Sequence, residues 1–570
     1  YTNWMEVEGT LPTEIYTIEL SDITGGELVF QTNSFGYDKN VTKVEALETM
    51  SLDVDVTNEG LYEIYFDYYL LPETLLRPTL NIQINGDLQY NEMANIEVPT
   101  KWLIADESVF DRFGDELTPD SVLINEWNSF GISDPNYYFV EPLKVYLAQG
   151  ENTIDVTVNE GHILFGDITI GNLYKAPLTY SEYLNEQPKS TNSINLIELE
   201  AERYLYESRQ NIRSKFMRDP SLTPYTFKNR ILNVLDQTSY RKSGDSITYE
   251  FEVLDAGYYN LSLKYMQSEN DELDSKRTIY IDDEIPFEEF SSYAFPYTRT
   301  WEMITLTDGD NPYEVYLSEG THTMTLKVIN NDVRDVYHRL VTVLNQINDL
   351  AREVNKITGG LRDRDRDYKL DVYIPTLVEE LTQIKSELNI AKTEFEDIYG
   401  TNDLSIINEL DLCTKYLDEF IEQPDDIPPY LSRFSEGEGS IYGRINIILP
   451  RIIDSPLQLD AIFLHDETTQ LPKATANVFI KALEGVKAFT YSFFDPKYNE
   501  ASQVDDETVE IWVRGSRLYI QVMQRMIDNE FTPESGLKIQ LSVMPDENKI
   551  VLANAASKTP DAAMGLSVTR

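Results

Sequence analysis

Cysteine is almost absent: Cys413 is the only one among 570 residues. A single thiol excludes an intrachain disulfide framework and any metal site built from several thiolates. Histidine is scarce as well. His162, His322, His338 and His465 are scattered, with no HExxH or other paired metal spacing. Positive charge is the third shortage: 47 Lys and Arg stand against 98 Asp and Glu, a net of −51. Phosphate backbones need clustered Lys and Arg, so nucleic acid is not an expected partner. The acidic excess reads as a solubility feature rather than as a site. No apolar run is long enough to span a bilayer. Tyrosine, by contrast, is plentiful at 37 residues, a composition that suits strands. The chain opens on Tyr1 rather than Met, which is what removal of a secretion signal would leave.

Residues 1–176 read as short alternating strands with turn punctuation. Leu52-Asp53-Val54-Asp55-Val56 alternates, Asn58-Glu59-Gly60 turns, and Leu61 to Phe66 answers as its partner. Many short strands at such spacing predict an antiparallel sandwich. Residues 177–330 repeat the scheme. Tyr249 to Val253, Ala256-Gly257 and Tyr258-Tyr259 echo the Gly60 hairpin, and Val315 to Thr323 echoes Val145 to Thr153 without a gap. Tyr1, Trp4 and Ile18-Glu19-Leu20 fall against Tyr180, Tyr183 and Ile197-Glu198-Leu199. The pattern is a duplicated module.

The second copy lacks its last strand, because Asn330-Asn331-Asp332 runs straight into helix. Val333, Val336, Leu340, Val343, Ile347, Leu350, Val354 and Ile357 keep a 3-4 alternation closed by Gly359-Gly360. Three more amphipathic segments follow, around Leu377–Ile398, Ile406–Phe420 and Ile441–Ile452, the last with Ser440 as its N-cap. Short connections make these a four-helix bundle over residues 331–455. Cys413 lies on a helical seam as a small core residue. Arg362 to Asp367 alternates sign and reads as a self-paired, solvated loop. After the bundle, Pro456 to Leu464 reads as a strand that sets Asp460 against Asp167 of the first copy. Residues 456–466 are therefore expected to complete the second sandwich, with the bundle inserted before its last strand.

Residues 467–507 carry a linking helix and a polar stretch. From Thr508 the pattern changes to strand, helix, strand, helix: Thr508 to Val513, then Leu518, Val522, Met526 and Ile527 on one face, then Leu537 to Val543. This is the opening of an α/β domain over residues 508–570.

Two resemblances arise from these residues. The glycine-aromatic hairpin and the Leu-x-x-Gly-x-(Asn/His)-Thr turn are similar to those of jelly-roll carbohydrate-binding modules. That likeness implies a structural Ca²⁺ held by an early Glu-x-Glu and a late Asp, here Glu200, Glu202 and Asp460. The same carboxylates read equally as solvated strand residues, and the first copy departs with Ser21 after Glu19. The ordered series Ile511-Trp512-Val513-Arg514, Phe531-Thr532-Pro533, Gly536-Leu537-Lys538-Ile539, Met544-Pro545-Asp546-Glu547, Leu552-Ala553-Asn554-Ala555-Ala556 and Thr559 to Leu566 resembles the first lobe of bacterial extracellular solute-binding proteins of ABC importers, family 1. It implies a periplasmic-binding-protein-like lobe of which only part lies within this sequence. The turn after its first strand, Arg514, Ser516 and Arg517, is the candidate cleft edge.

The resemblances together imply an extracellular, membrane-anchored receptor that captures a carbohydrate and passes it to ABC permease subunits, without catalysis. A glycoside hydrolase with binding modules is the alternative; it needs two placed carboxylates, and no pair stands out among so many. A cell-surface spacer or adhesion protein is a third reading, which leaves the α/β segment unexplained.

Overall fold

The computed structural model describes residues 1, 4, 9–18, 23–24, 27–29, 35–72, 77–105, 108–110, 114–188, 195–492, 508–544, 548–555 and 559–566. Glu19, Ser21 and Pro545 to Glu547 lie outside them. Two compact units are distinguished, one holding nearly all of residues 1–477 and the other chiefly residues 478–570. Among the described residues no helix is long and apolar enough to cross a membrane.

The first unit contains two antiparallel sandwiches. Their strands form where every second residue is apolar: Thr49–Val56 and Ser246–Val253 bury alternate side chains. In the first sandwich one sheet runs Asn128–Gly131, Gly60–Tyr69, His162–Ile170, Val41–Glu45, Glu27–Val29. The other runs Ile23–Thr24, Thr49–Val56, Gly150–Glu160, Thr79–Ile84, Ile96–Glu97. Side chains such as Phe66, Ile82, Ile154 and Phe165 fill the space between them.

The duplication extends to single residues. Gly60 faces Leu147 and Gly257 faces Leu317 at equivalent turns, an offset that equates Asp67 with Lys264. These turns are not the hairpins expected from sequence: Thr49–Val56 and Gly60–Tyr69 lie in opposite sheets, as do Ser246–Val253 and Gly257–Met266, so each glycine turn carries the chain across the sandwich. The Tyr1 and Tyr180 hydroxyls each accept the backbone N–H of equivalent residues, Lys144 and Glu314. Two alignments read from sequence need correction. Ile18 pairs with Ile168 while Leu199, not Ile197, pairs with the equivalent Ile462. Between Phe165 and Ile168, and again between Leu459 and Ile462, a bulge holds two residues. Asp460 therefore stands at the place of Gly166, and Asp167 at that of Ala461. Both copies carry the bulge at the same place, so the one-residue error comes from matching two aspartates that occupy its neighbouring positions.

The strand Gln458–His465 lies between Ile197–Glu200 and Gly257–Met266, inside the second sandwich. All eight of its residues are buried. The opposite sheet of this sandwich is continued by two strands of the first, Trp102–Ile104 and Ser121–Leu123, through Tyr206–Glu207. The two copies thus share one seven-stranded sheet.

Four long helices leave and return between Gly320–Ile329 and Gln458–His465: Arg334–Thr358, Leu377–Tyr399, Ser405–Glu422 and Ile441–Ile453. Their seam residues, with Cys413 among them, form one core. Burial pushes the Cys413 thiol up to about 12, so it packs as a small apolar group. Gly359 takes a left-handed conformation that closes the first helix. The Arg362–Asp367 loop, expected to pair with itself, reaches outward: Arg362 meets Glu436 at 2.6 Å and Arg364 lies over Tyr430. Ser440 Oγ accepts the N–H of Gly443 at 3.0 Å while donating to the Gly437 carbonyl. Ser440→Ala is expected to destabilise the bundle by about 1 kcal/mol, read from the denaturation midpoint. A change near zero would deny the cap its role.

The second unit has a helix, Val478–Ser492, and a three-stranded parallel sheet ordered Lys538–Val543, Thr508–Val513, Ala562–Met564. Right-handed crossovers through helices are how such a sheet is built, and Arg517–Met526 supplies the first.

Candidate functional site

Three places hold the chemistry, and the first sandwich has the one that the sequence did not single out. On the outer face of its sheet, Gly166 sits in the bulge of the closing strand. A Cβ there would meet the Tyr37 ring at 2.6 Å, so glycine admits the ring against the backbone. The Tyr37 hydroxyl accepts the Asp167 N–H at 2.8 Å and donates to Asp67 Oδ2 at 2.9 Å. Trp127 lies over Tyr37, with centroids 4.3 Å apart, and touches Tyr69 at 5.6 Å. Phe35, 57% exposed, stacks on Tyr69 with centroids 4.7 Å apart. Asp67, Asp167 and Lys39, which pairs with Asp167, edge the rings. Half-buried rings bordered by charged hydrogen-bonding groups can take the C–H face of a sugar and its hydroxyls together. Pairing in the structure sets Trp127 at the register of Trp301, since Asn128 faces Tyr68 as Glu302 faces Tyr265.

In the second sandwich the same face is closed. Trp301 is 4% exposed and packs with Leu222, Val234, Met217 and Met266. Lys264, at the position of Asp67, places its Nζ 2.6 Å from Asp460 Oδ2 and donates to the Ser221 carbonyl. Asp460 Oδ1 accepts the Thr223 N–H at 3.1 Å. Burial lifts the Asp460 carboxyl above the usual range, against the pull of Lys264. Glu202 is buried with no hydrogen-bond partner on either carboxylate oxygen, and burial pushes it up to about 9. Glu200 is part-exposed, its carboxylate 3.9 Å from Arg203. The expected calcium set is thus only partly assembled. Glu202 and Asp460 are close enough for their charges to interact, and Asp460 faces the Lys264 ammonium. Among the described residues no group of three His, Cys, Asp or Glu is placed to hold a metal ion.

In the second unit, Arg514 and Ser516 follow the carboxyl end of the central strand and are exposed. The Arg514 N–H donates to the Met564 carbonyl, and Ser516 Oγ accepts the Tyr519 N–H at 3.4 Å as the helix N-cap. Arg517 is the first residue of that helix. The strand order places this turn where successive crossovers go to opposite sides, the position at which open α/β sheets bind ligands.

Residues 335–452 match the bacterial solute-binding protein 4-helix bundle domain. Among curated protein sequences nothing matches the chain. Similar solved structures include a family 35 carbohydrate-binding module from Clostridium thermocellum, 18% identical, covering 28% of this chain and 98% of that one with a TM-score of 0.19. A β-(1,4)-mannanase from Podospora anserina with a family 35 module is 17% identical over 32% of this chain and 30% of its own, TM-score 0.19. The C-terminal family 6 module of a laminarinase from Zobellia galactanivorans is 12% identical over 28% and 100%, TM-score 0.18.

Proposed function

We propose that the chain is the substrate-capture component of an ABC importer, acting outside the cell and binding a carbohydrate without chemistry. The match of its inserted bundle to the bundle domain of bacterial solute-binding proteins carries this reading. The parallel sheet with Arg514 and Ser516 at its switch point supports a ligand cleft on the second unit. Tyr37, Trp127 and Phe35 support carbohydrate as the ligand class, because flat rings match the apolar face of a pyranose. The captured sugar passes to permease subunits in the membrane.

A host strain lacking the gene is expected to lose uptake of at least one oligosaccharide while its extracellular hydrolysis of that sugar persists. Intact uptake with lost hydrolysis would overturn the importer reading in favour of the binding region of a glycoside hydrolase. For the imported sugar, Arg514→Ala is expected to raise the Kd about tenfold, the loss of one charge-assisted hydrogen bond, read by calorimetry. An unchanged Kd would remove the turn from the cleft.

A further inference from the structure

We propose that the Lys264 ammonium is the built-in cation of the second sandwich, standing where the carbohydrate-module likeness would put calcium at Asp460. Calcium takes six to eight oxygen ligands at about 2.3–2.6 Å and needs its carboxylates free. Asp460 Oδ1 accepts the Thr223 N–H at 3.1 Å, and Oδ2 lies 2.6 Å from the Lys264 ammonium in an ion pair without hydrogen-bond geometry. The ammonium is anchored a second time by the Ser221 carbonyl. Lysine and aspartate are 2% and 1% exposed, so a divalent ion at Asp460 would face an unscreened positive charge.

The first copy provides an internal comparison. At the same registers it carries Asp67 for Lys264 and Gly166 for Asp460, so the ion pair is absent as a pair. There the Tyr37 hydroxyl, a neutral donor, satisfies Asp67. The first copy thus sets Asp67 and Asp167 against the Tyr37 hydroxyl and Lys39, and the second sets Asp460 against Lys264 and the Thr223 N–H. The second has exchanged an open aromatic face for a closed one held by a cation the chain itself provides.

The consequence is a sandwich whose folding does not follow the calcium level outside the cell. Thermal unfolding of the full chain with millimolar CaCl₂ and with EGTA tests it, in the wild type, Asp460→Asn and Glu202→Gln. The expected result is a wild-type midpoint that calcium leaves in place, or raises by an amount that both variants retain. A calcium-dependent rise in the wild type that disappears in either variant overturns the proposal. Glu202→Gln keeps the test decisive should Asp460→Asn fail to fold. Lys264→Gln is expected to lower the midpoint by several degrees, and a midpoint unchanged in that variant would also overturn it.

Discussion

Arg277→Met should destabilise the second sandwich by about 1–3 kcal/mol, the cost of leaving buried hydrogen-bond acceptors without their donor. Arg277 is fully buried, its guanidinium 4.4 Å above the Tyr240 ring. It donates to the Lys276 carbonyl at 2.8 Å and to Ser455 Oγ at 3.1 Å. Ser455 begins the return from the bundle to the sheet, and its Oγ also accepts the Lys276 N–H at 2.7 Å. Asp245, equally buried, sits within the field of Arg277 and 3.5 Å from Arg209. Methionine fills the space of the stem, so the loss reports the charge rather than a cavity. Lysine would keep the charge but not the planar stacking and forked donors, and Arg277→Lys should fall between. Urea unfolding monitored by tryptophan fluorescence measures both. A loss below about 1 kcal/mol for the methionine variant would show that the guanidinium does not hold the bundle return in place.

Where a residue's role follows from its neighbours in sequence, the chain could be read directly. The 3-4 alternation from Val333 to Ile357 is the helix Arg334–Thr358, because burial of one stripe and the left-handed Gly359 are local facts. Ser440 is a cap for the same reason. The alternation around Gly60 and Gly257 gave the sandwich strands. Lys264 shows where such reading stops. On an alternating strand it reads as solvent-facing, yet Ser221 and Thr223, from a segment forty residues earlier, lie against the pair it forms with Asp460. Tyr37 and Trp127 are ninety residues apart and meet only because the bulge at Gly166 makes room for a ring. Asp460 occupies the first of the two bulge positions and Asp167 the second, which alignment of the two aspartates could not show. Arg514 and Ser516 were legible in part: the strand–helix order implied the turn, while the strand order that makes it a switch point is a matter of pairing.

Glu202→Gln should make the protein more stable, and increasingly so as pH rises. The carboxyl is pushed up to about 9 by burial first, with the charges of Glu200 and Asp460 acting in the same direction. Its ordinary value is 4.5, so the folded state holds this proton more tightly than the unfolded chain does. That contribution is complete below the unfolded value and is lost as pH climbs towards the folded one, at about 1.4 kcal/mol per pH unit. Glu207, pushed up to about 8 by burial, adds a slope of the same sign and remains in the variant as an internal reference. Glutamine has the same shape and cannot ionise. Wild type and variant should therefore melt together near about pH 5 and separate progressively to about pH 9, with the variant higher. Melting curves that stay parallel across this range would mean that Glu202 is not neutral in the folded protein. A variant less stable than the wild type at every pH, most of all with calcium present, would make Glu202 an ionised metal ligand and return the second sandwich to a calcium-built design. The same pH series thus discriminates a proton from a metal as the partner of this carboxylate, because only the proton is displaced by raising the pH.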